Sequence, residues 1–132
     1  METQKEFDGR LWTLYSAAAL RGLMAACSFY DPTVKETPTI FLPSDAASNA
    51  AACADAMVAE SKIGLLSIDR AEDKEIWIEY AAAALSGIIQ GCSGYNPEWG
   101  VRKIFLPTEA AAWARTTADA MFELQKAKKR EK

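Results

Sequence analysis

Histidine is missing altogether. With it go the commonest general base, the commonest metal ligand and the Ser-His and Cys-His nucleophile systems. Cysteine is scarce and odd in number, at Cys27, Cys53 and Cys92, so no disulfide framework is expected. The three lack CxxC spacing, no Glu-x-x-His pair exists for a di-metal bundle, and Ser86-Gly87 and Ser93-Gly94 are too isolated to form a phosphate loop. Each cysteine sits among alanines and large apolar residues, where a reduced thiol behaves as a small hydrophobe. No apolar run approaches the roughly 18 to 20 residues of a membrane span. The polar start, Met1-Glu2-Thr3-Gln4-Lys5-Glu6, reads as neither a signal nor a transit peptide. Alternation at period two is absent throughout, which speaks against strands. These absences predict a cytosolic, non-enzymatic protein with no catalytic residue, no metal and no cofactor.

What is present is a duplication. Leu11-Trp12-Thr13-Leu14-Tyr15-Ser16-Ala17-Ala18-Ala19-Leu20-Arg21-Gly22 returns about 65 residues later as Ile76-Trp77-Ile78-Glu79-Tyr80-Ala81-Ala82-Ala83-Ala84-Leu85-Ser86-Gly87. Cys27-Ser28-Phe29-Tyr30-Asp31-Pro32 returns as Cys92-Ser93-Gly94-Tyr95-Asn96-Pro97, Ile40-Phe41-Leu42-Pro43 as Ile104-Phe105-Leu106-Pro107, and Ala54-Asp55-Ala56-Met57 as Ala118-Asp119-Ala120-Met121. The offset shortens by one residue across the middle loop. A repeat of this size is one supersecondary unit that does not bury its apolar face alone, and 132 residues make one domain. The predicted organisation is repeat 1 over about 6–62, a linker at 63–69, repeat 2 over about 70–126 and a basic tail at 127–132, all within a single domain 1–132.

Each repeat predicts helix, loop, helix. Asp8 and Asp73 are the expected caps of the first helices. Leu11, Tyr15, Ala18, Gly22 and Ala26 form one helical stripe, and Ile76, Tyr80, Ala83, Gly87 and Gly91 its twin. Small residues four apart, Ala18 with Gly22 and Ala83 with Gly87, predict close helix crossings at both places. On that expectation Gly87→Leu overpacks the core. Asp31-Pro32 and Asn96-Pro97 are turn dipeptides. The apolar triplets before Pro43 and Pro107 are expected as extended plugs at the bundle end, followed by second helices from about Ser44 to Lys62 and from about Thr108 onward. The fold expected is all-α: a four-helix bundle of two tandem helix-loop-helix repeats related by a pseudo-twofold axis.

Functional candidates divide by whether both copies carry them. Asp55 and Asp119 recur in apolar surroundings and are the candidate carboxylates for acid–base work; the other readings are that each faces solvent, accepts a hydrogen bond from a tyrosine of its own repeat, or joins Tyr15 and Tyr80 in a symmetric ligand cleft. Trp99, Arg102, Lys103, Trp113 and Arg115 belong to the second repeat alone, whereas the first has Asn49 and Ala51 opposite Trp113 and Arg115. Tryptophan and arginine are enriched at binding hot spots, so Trp99, Arg102, Lys103 and Arg115 are the candidate partner-binding residues. Trp113 is the candidate to fill a groove that Asn49 leaves open. Net charge is −3; the acidic body disfavours nucleic acid despite the basic tail.

The pattern Tyr80-Ala81-Ala82-Ala83-Ala84-Leu85-Ser86-Gly87, then Ala118-Asp119-Ala120-Met121 and a lysine-rich end, resembles small alanine-rich helical proteins of phages and prophages. The first copy carries the same ending as Ala54-Asp55-Ala56-Met57-Val58-Ala59-Glu60. Those proteins carry one such unit; two in one chain is a departure. The resemblance implies a phage accessory protein acting in the host cytosol on a host protein or complex, with inhibition of a defence system such as a CRISPR effector a natural candidate. The alternative is a bundle that sequesters a nucleotide signal. Self-association is left open.

Overall fold

A computed structural model of the chain describes residues 2–27, 43–92, 95–96, 101–102 and 106–130. Four helices carry the fold: α1 (Gln4–Cys27), α2 (Pro43–Gly64), α3 (Ala71–Cys92) and α4 (Pro107–Arg130). The helices start earlier than Asp8 and Asp73 suggest. At α1 the cap is Thr3, whose Oγ1 accepts the Glu6 backbone N–H at 3.1 Å, satisfying one of the orphan donors of the first turn. Pro43 and Pro107 are themselves the first helical residues, a position where the missing N–H costs nothing. Leu106, the described end of one expected plug, is 58% exposed; residues 40–42, 104 and 105 lie outside the described residues. Between α3 and α4 a two-residue ladder pairs β1 (Tyr95–Asn96) antiparallel with β2 (Val101–Arg102), Tyr95 opposite Arg102 and Asn96 opposite Val101. Two-residue strands are too short for alternation to show in a sequence.

The chain is an all-α four-helix bundle in which α1 packs on α2 and α3, and α4 on α3 and α2. Within the first hairpin the helices are antiparallel: Asp8 pairs with Lys62 at 3.4 Å and the Trp12 indole reaches Asp55 at 2.9 Å. A short turn after Gly64 reverses the chain again, so α3 runs in the same sense as α1. Near both starts Arg10 Nη2 meets Glu75 Oε1 at 2.7 Å. Near both ends Gly22 lies under α3, where an added Cβ would stand 2.5 Å from the Ser86 carbonyl oxygen and 3.0 Å from Ile89 Cβ. This corrects the expected pseudo-twofold. A dyad exchanging the hairpins would set the touching α1 and α3 antiparallel; if it ran along the helices it would hold α2 and α4 apart. The hairpins instead lie side by side in the same sense, as repeats do in a solenoid.

Burial agrees. On α1 the buried positions are Leu11, Tyr15, Ala18, Ala19, Gly22 and Leu23, which include the first stripe as far as Gly22; the burial of Ala26 lies outside what is described. Its twin is wrong. On α3 Ile76 and Tyr80 are half-buried and Ala83, Gly87 and Gly91 are exposed, while Trp77, Ile78, Ala81, Ala82, Leu85 and Ile89 are buried. A Cβ on Gly87 would meet nothing within 4 Å, so the close crossing exists at Gly22 alone of the two. The reason is geometric. α1 and α3 each meet their hairpin partner on the same side, but α1 has α3 on one flank and α3 has α1 on the opposite flank. Equivalent helices in equal-sense packing must therefore turn different sides to the core. One contiguous core results, running from Leu11 and Tyr15 through Cys53, Met57, Trp77 and Leu85 to Ala118 and Phe122.

Candidate functional site

Both copies build the same polar pair. The Trp12 indole N–H donates to Asp55 Oδ1 at 2.9 Å, and the Trp77 indole N–H to Asp119 Oδ1 at 2.8 Å. Each joins the first helix of a hairpin to the second. The aspartates thus accept from a tryptophan of their own repeat rather than from a tyrosine. The signal was in the sequence, since Trp12 recurs as Trp77 as faithfully as the aspartates do.

The surroundings of the two pairs differ. Trp12 is 40% exposed and Trp77 is fully buried. The Trp77 ring is pressed against Gly64, where any Cβ would collide with the indole. The turn after α2 then completes its cover, and Trp77, Ile63, Ile68, Arg115 and Phe122 line a small recess of about 170 Å³. Arg115 donates through Nε to Glu60 Oε2 on α2 and stands 3.6 Å from Asp119 Oδ2. It therefore ties α4 to α2 and holds the carboxylate that receives the indole.

The predicted ligand cleft is not assembled. Tyr15 is fully buried, with its hydroxyl 2.7 Å from the hydroxyl of buried Ser61. Burial pushes its pKa up to about 12, against the lowering effect of the Ser61 hydrogen bond. Tyr80 is half-buried on the side of α3 that bears Gly87. Neither tyrosine lines the larger cleft, about 530 Å³ between the start of α1 and the turn before α3, whose lining includes Phe7, Leu11, Lys62, Leu66 and Lys74. The Cys53 thiol is also raised by burial, to about 11, so it stays protonated and unreactive near neutral pH. Among the described residues no cluster of three or more His, Cys, Asp or Glu could hold a metal ion, and no helix is long and apolar enough to cross a membrane.

Of the predicted partner-binding residues, Arg115 is half-buried and engaged internally. Arg102 is placed by its backbone in β2, and Trp99 and Lys103 lie outside the described residues. Trp113 does not fill the groove opposite Asn49: it is 66% exposed on α4. Other large apolar side chains join it at the surface, among them Leu20, Met24, Met121 and Leu124. The basic end is partly engaged, Lys126 pairing with Glu123 at 3.1 Å and lying 5.3 Å over the Phe122 ring. Comparison with known proteins returned no matching family model, no matching curated protein and no matching solved structure.

Proposed function

We propose that this chain works by binding another protein, through surface that the second repeat does not share with the first. The observation that carries the reading is Trp113, a tryptophan two-thirds exposed on a well-formed helix where the other copy has Asn49. Exposed tryptophan gives a large rigid contact at low entropic cost. The two recurrent carboxylates are committed to the scaffold, Asp55 and Asp119 to indoles, as are Tyr15 to Ser61 and Arg115 to Glu60. The candidate contacts are Trp99, Arg102 and Lys103, to which Trp113 is added. The phage resemblance makes the partner a host protein in the cytosol, with blockade of a defence component such as a CRISPR effector its natural effect.

Capture from a bacterial lysate followed by mass spectrometry tests this. Wild type should retain one host protein or complex, and the Trp99→Ala/Trp113→Ala double variant should lose it while unfolding at the same temperature. Retention by the double variant would place the interface elsewhere. A second reading, sequestration of a small anionic ligand, is supported by the larger cleft with Lys62 and Lys74 in its lining. It requires that added nucleotide raise the melting temperature, and Lys74→Ala should abolish that rise.

A further inference from the structure

The junction between the two hairpins is made by two unlike faces, and each face has an unused twin on the outside of the molecule. Inside, α1 presents Leu11, Tyr15, Ala18 and Gly22, and α3 brings Ile89 and the Ser86 carbonyl against Gly22, with Leu85 buried one turn earlier. The equivalents of the α1 face are Ile76, Tyr80, Ala83 and Gly87, near-identical in sequence: Ile76 and Tyr80 are half-buried at the margin of the core, and Ala83 and Gly87 are exposed. The equivalents of Trp77, Leu85 and Ile89 are Trp12, Leu20 and Met24, exposed by 40%, 39% and 48% on the far side of the first hairpin. The second layer repeats this: Met57 is buried, and its equivalent Met121 is 43% exposed on α4. Arg10 bonds Glu75 across the junction, at equivalent positions of the two copies.

We propose that a second copy of this chain docks head to tail, its Met24 seated over Gly87 of the first as Ile89 is seated over Gly22 within the chain, with Leu20 one turn earlier. The junction inside the chain is the pattern for what would cover this surface. An array of like repeats needs ends with polar outer faces; here both outer faces carry the apolar residues of an internal junction. Gly87 has the same explanation: a mid-helix glycine with nothing near it is unfavourable for the single chain, and becomes useful when another backbone approaches. A contact between two different faces is heterologous, so it adds copies in sequence instead of stopping at a symmetric pair. The inference deepens the binding reading by naming one partner. Self-association of purified protein and capture of a host protein are separate measurements, and either can fail alone.

Sedimentation of purified chain up to about 1 mM, the effective concentration typical of a short tether, tests it. The average mass should rise from 14.4 kDa past that of a dimer. Gly87→Arg blocks one face and Met24→Arg the other; both positions are exposed, so each variant should melt as wild type does and sediment as a monomer. Mixed in equal amounts, the two should form a dimer and stop there, because one intact face of each kind remains. Wild type that stays monomeric at the highest concentration, self-association surviving in either variant alone, or a mixture that remains monomeric would each overturn the proposal.

Discussion

Trp12 and Trp77 begin the same phrase in two copies, bond equivalent aspartates, and end in opposite environments. The first lies at the surface; the second is sealed between α3, α4 and the end of α2. Gly22 and Gly87 differ in the same way, one pressed under a neighbouring backbone and the other facing open space. The sequence of a helix sets which sides of it can be buried. The position of its neighbours decides which side is. Two copies stacked in one sense therefore use their common sequence asymmetrically, and the unused halves become surface.

Substitutions at paired positions should break or confirm this contrast. The largest effect is expected at Trp77→Ala, which empties the space against Gly64 and strands Asp119, at a cost of about 3–5 kcal/mol. Trp12→Ala should cost roughly 1 kcal/mol or less, as surface substitutions do. Urea denaturation of both variants measures the gap; equal losses would mean that the two tryptophans are equally buried. Next, Gly22→Leu should destabilise by about 3 kcal/mol, because the added side chain meets the Ser86 carbonyl and Ile89. Gly87→Leu should be neutral or stabilise by up to about 1 kcal/mol through helix propensity, judged by chemical unfolding of dilute protein.

Titration sharpens the comparison at Tyr15. Its ionisation is held up to about 12 in the folded chain and returns to about 10 when unfolded. Between those values the unfolded state has released a proton that the folded state keeps, so stability falls as pH rises from 10 to 12 and is unaffected by this group below 10. The expected loss is about 2 kcal/mol. Wild type and Tyr15→Phe, compared by urea unfolding across that range, should diverge in slope. Identical slopes would show that Tyr15 ionises freely when folded. The smallest difference is expected at the aspartates. Asp119→Ala leaves a buried indole N–H without its acceptor and takes away one of the two carboxylates beside Arg115, costing about 1–2 kcal/mol, and Asp55→Ala, beside an exposed indole, about 0.5 kcal/mol. Reversal of that order in thermal unfolding would contradict the assignment.

Much of the architecture is legible in the residues. Alanine-rich runs, the prolines at 43 and 107 and the turn dipeptides place four helices within a few residues of their observed bounds. Thr3 in place of Asp8 is a capping detail, and the ladder of β1 and β2 is too brief to leave a pattern. The failure at Gly87 is of another kind. Periodicity marks Ile76, Tyr80, Ala83 and Gly87 as an apolar stripe, and it is one; no pattern within a helix says whether a neighbour lies on it. The same limit explains Trp113, whose exposure depends on what α4 does not touch. The Trp–Asp pairs were legible from their recurrence, since either aromatic could donate and the tryptophans recur as fully as the tyrosines. The grip of Arg115 on Glu60 was not, because those positions have no equivalent pair in the other copy.

The sense of packing is the claim on which the rest depends, and it can be read as a distance. Spin labels at Glu6 and Glu72, in a chain with its three cysteines replaced, mark the starts of α1 and α3; labels at Glu6 and Gln90 mark opposite ends. With α1 and α3 side by side in the same sense, pulsed dipolar spectroscopy should give a short distance for Glu6 with Glu72. The distance for Glu6 with Gln90 should be longer, since about 18 residues of helix separate positions 72 and 90, some 27 Å along the axis. A short distance for Glu6 with Gln90 and a long one for Glu6 with Glu72 would mean that the hairpins meet across a dyad, and would contradict this account.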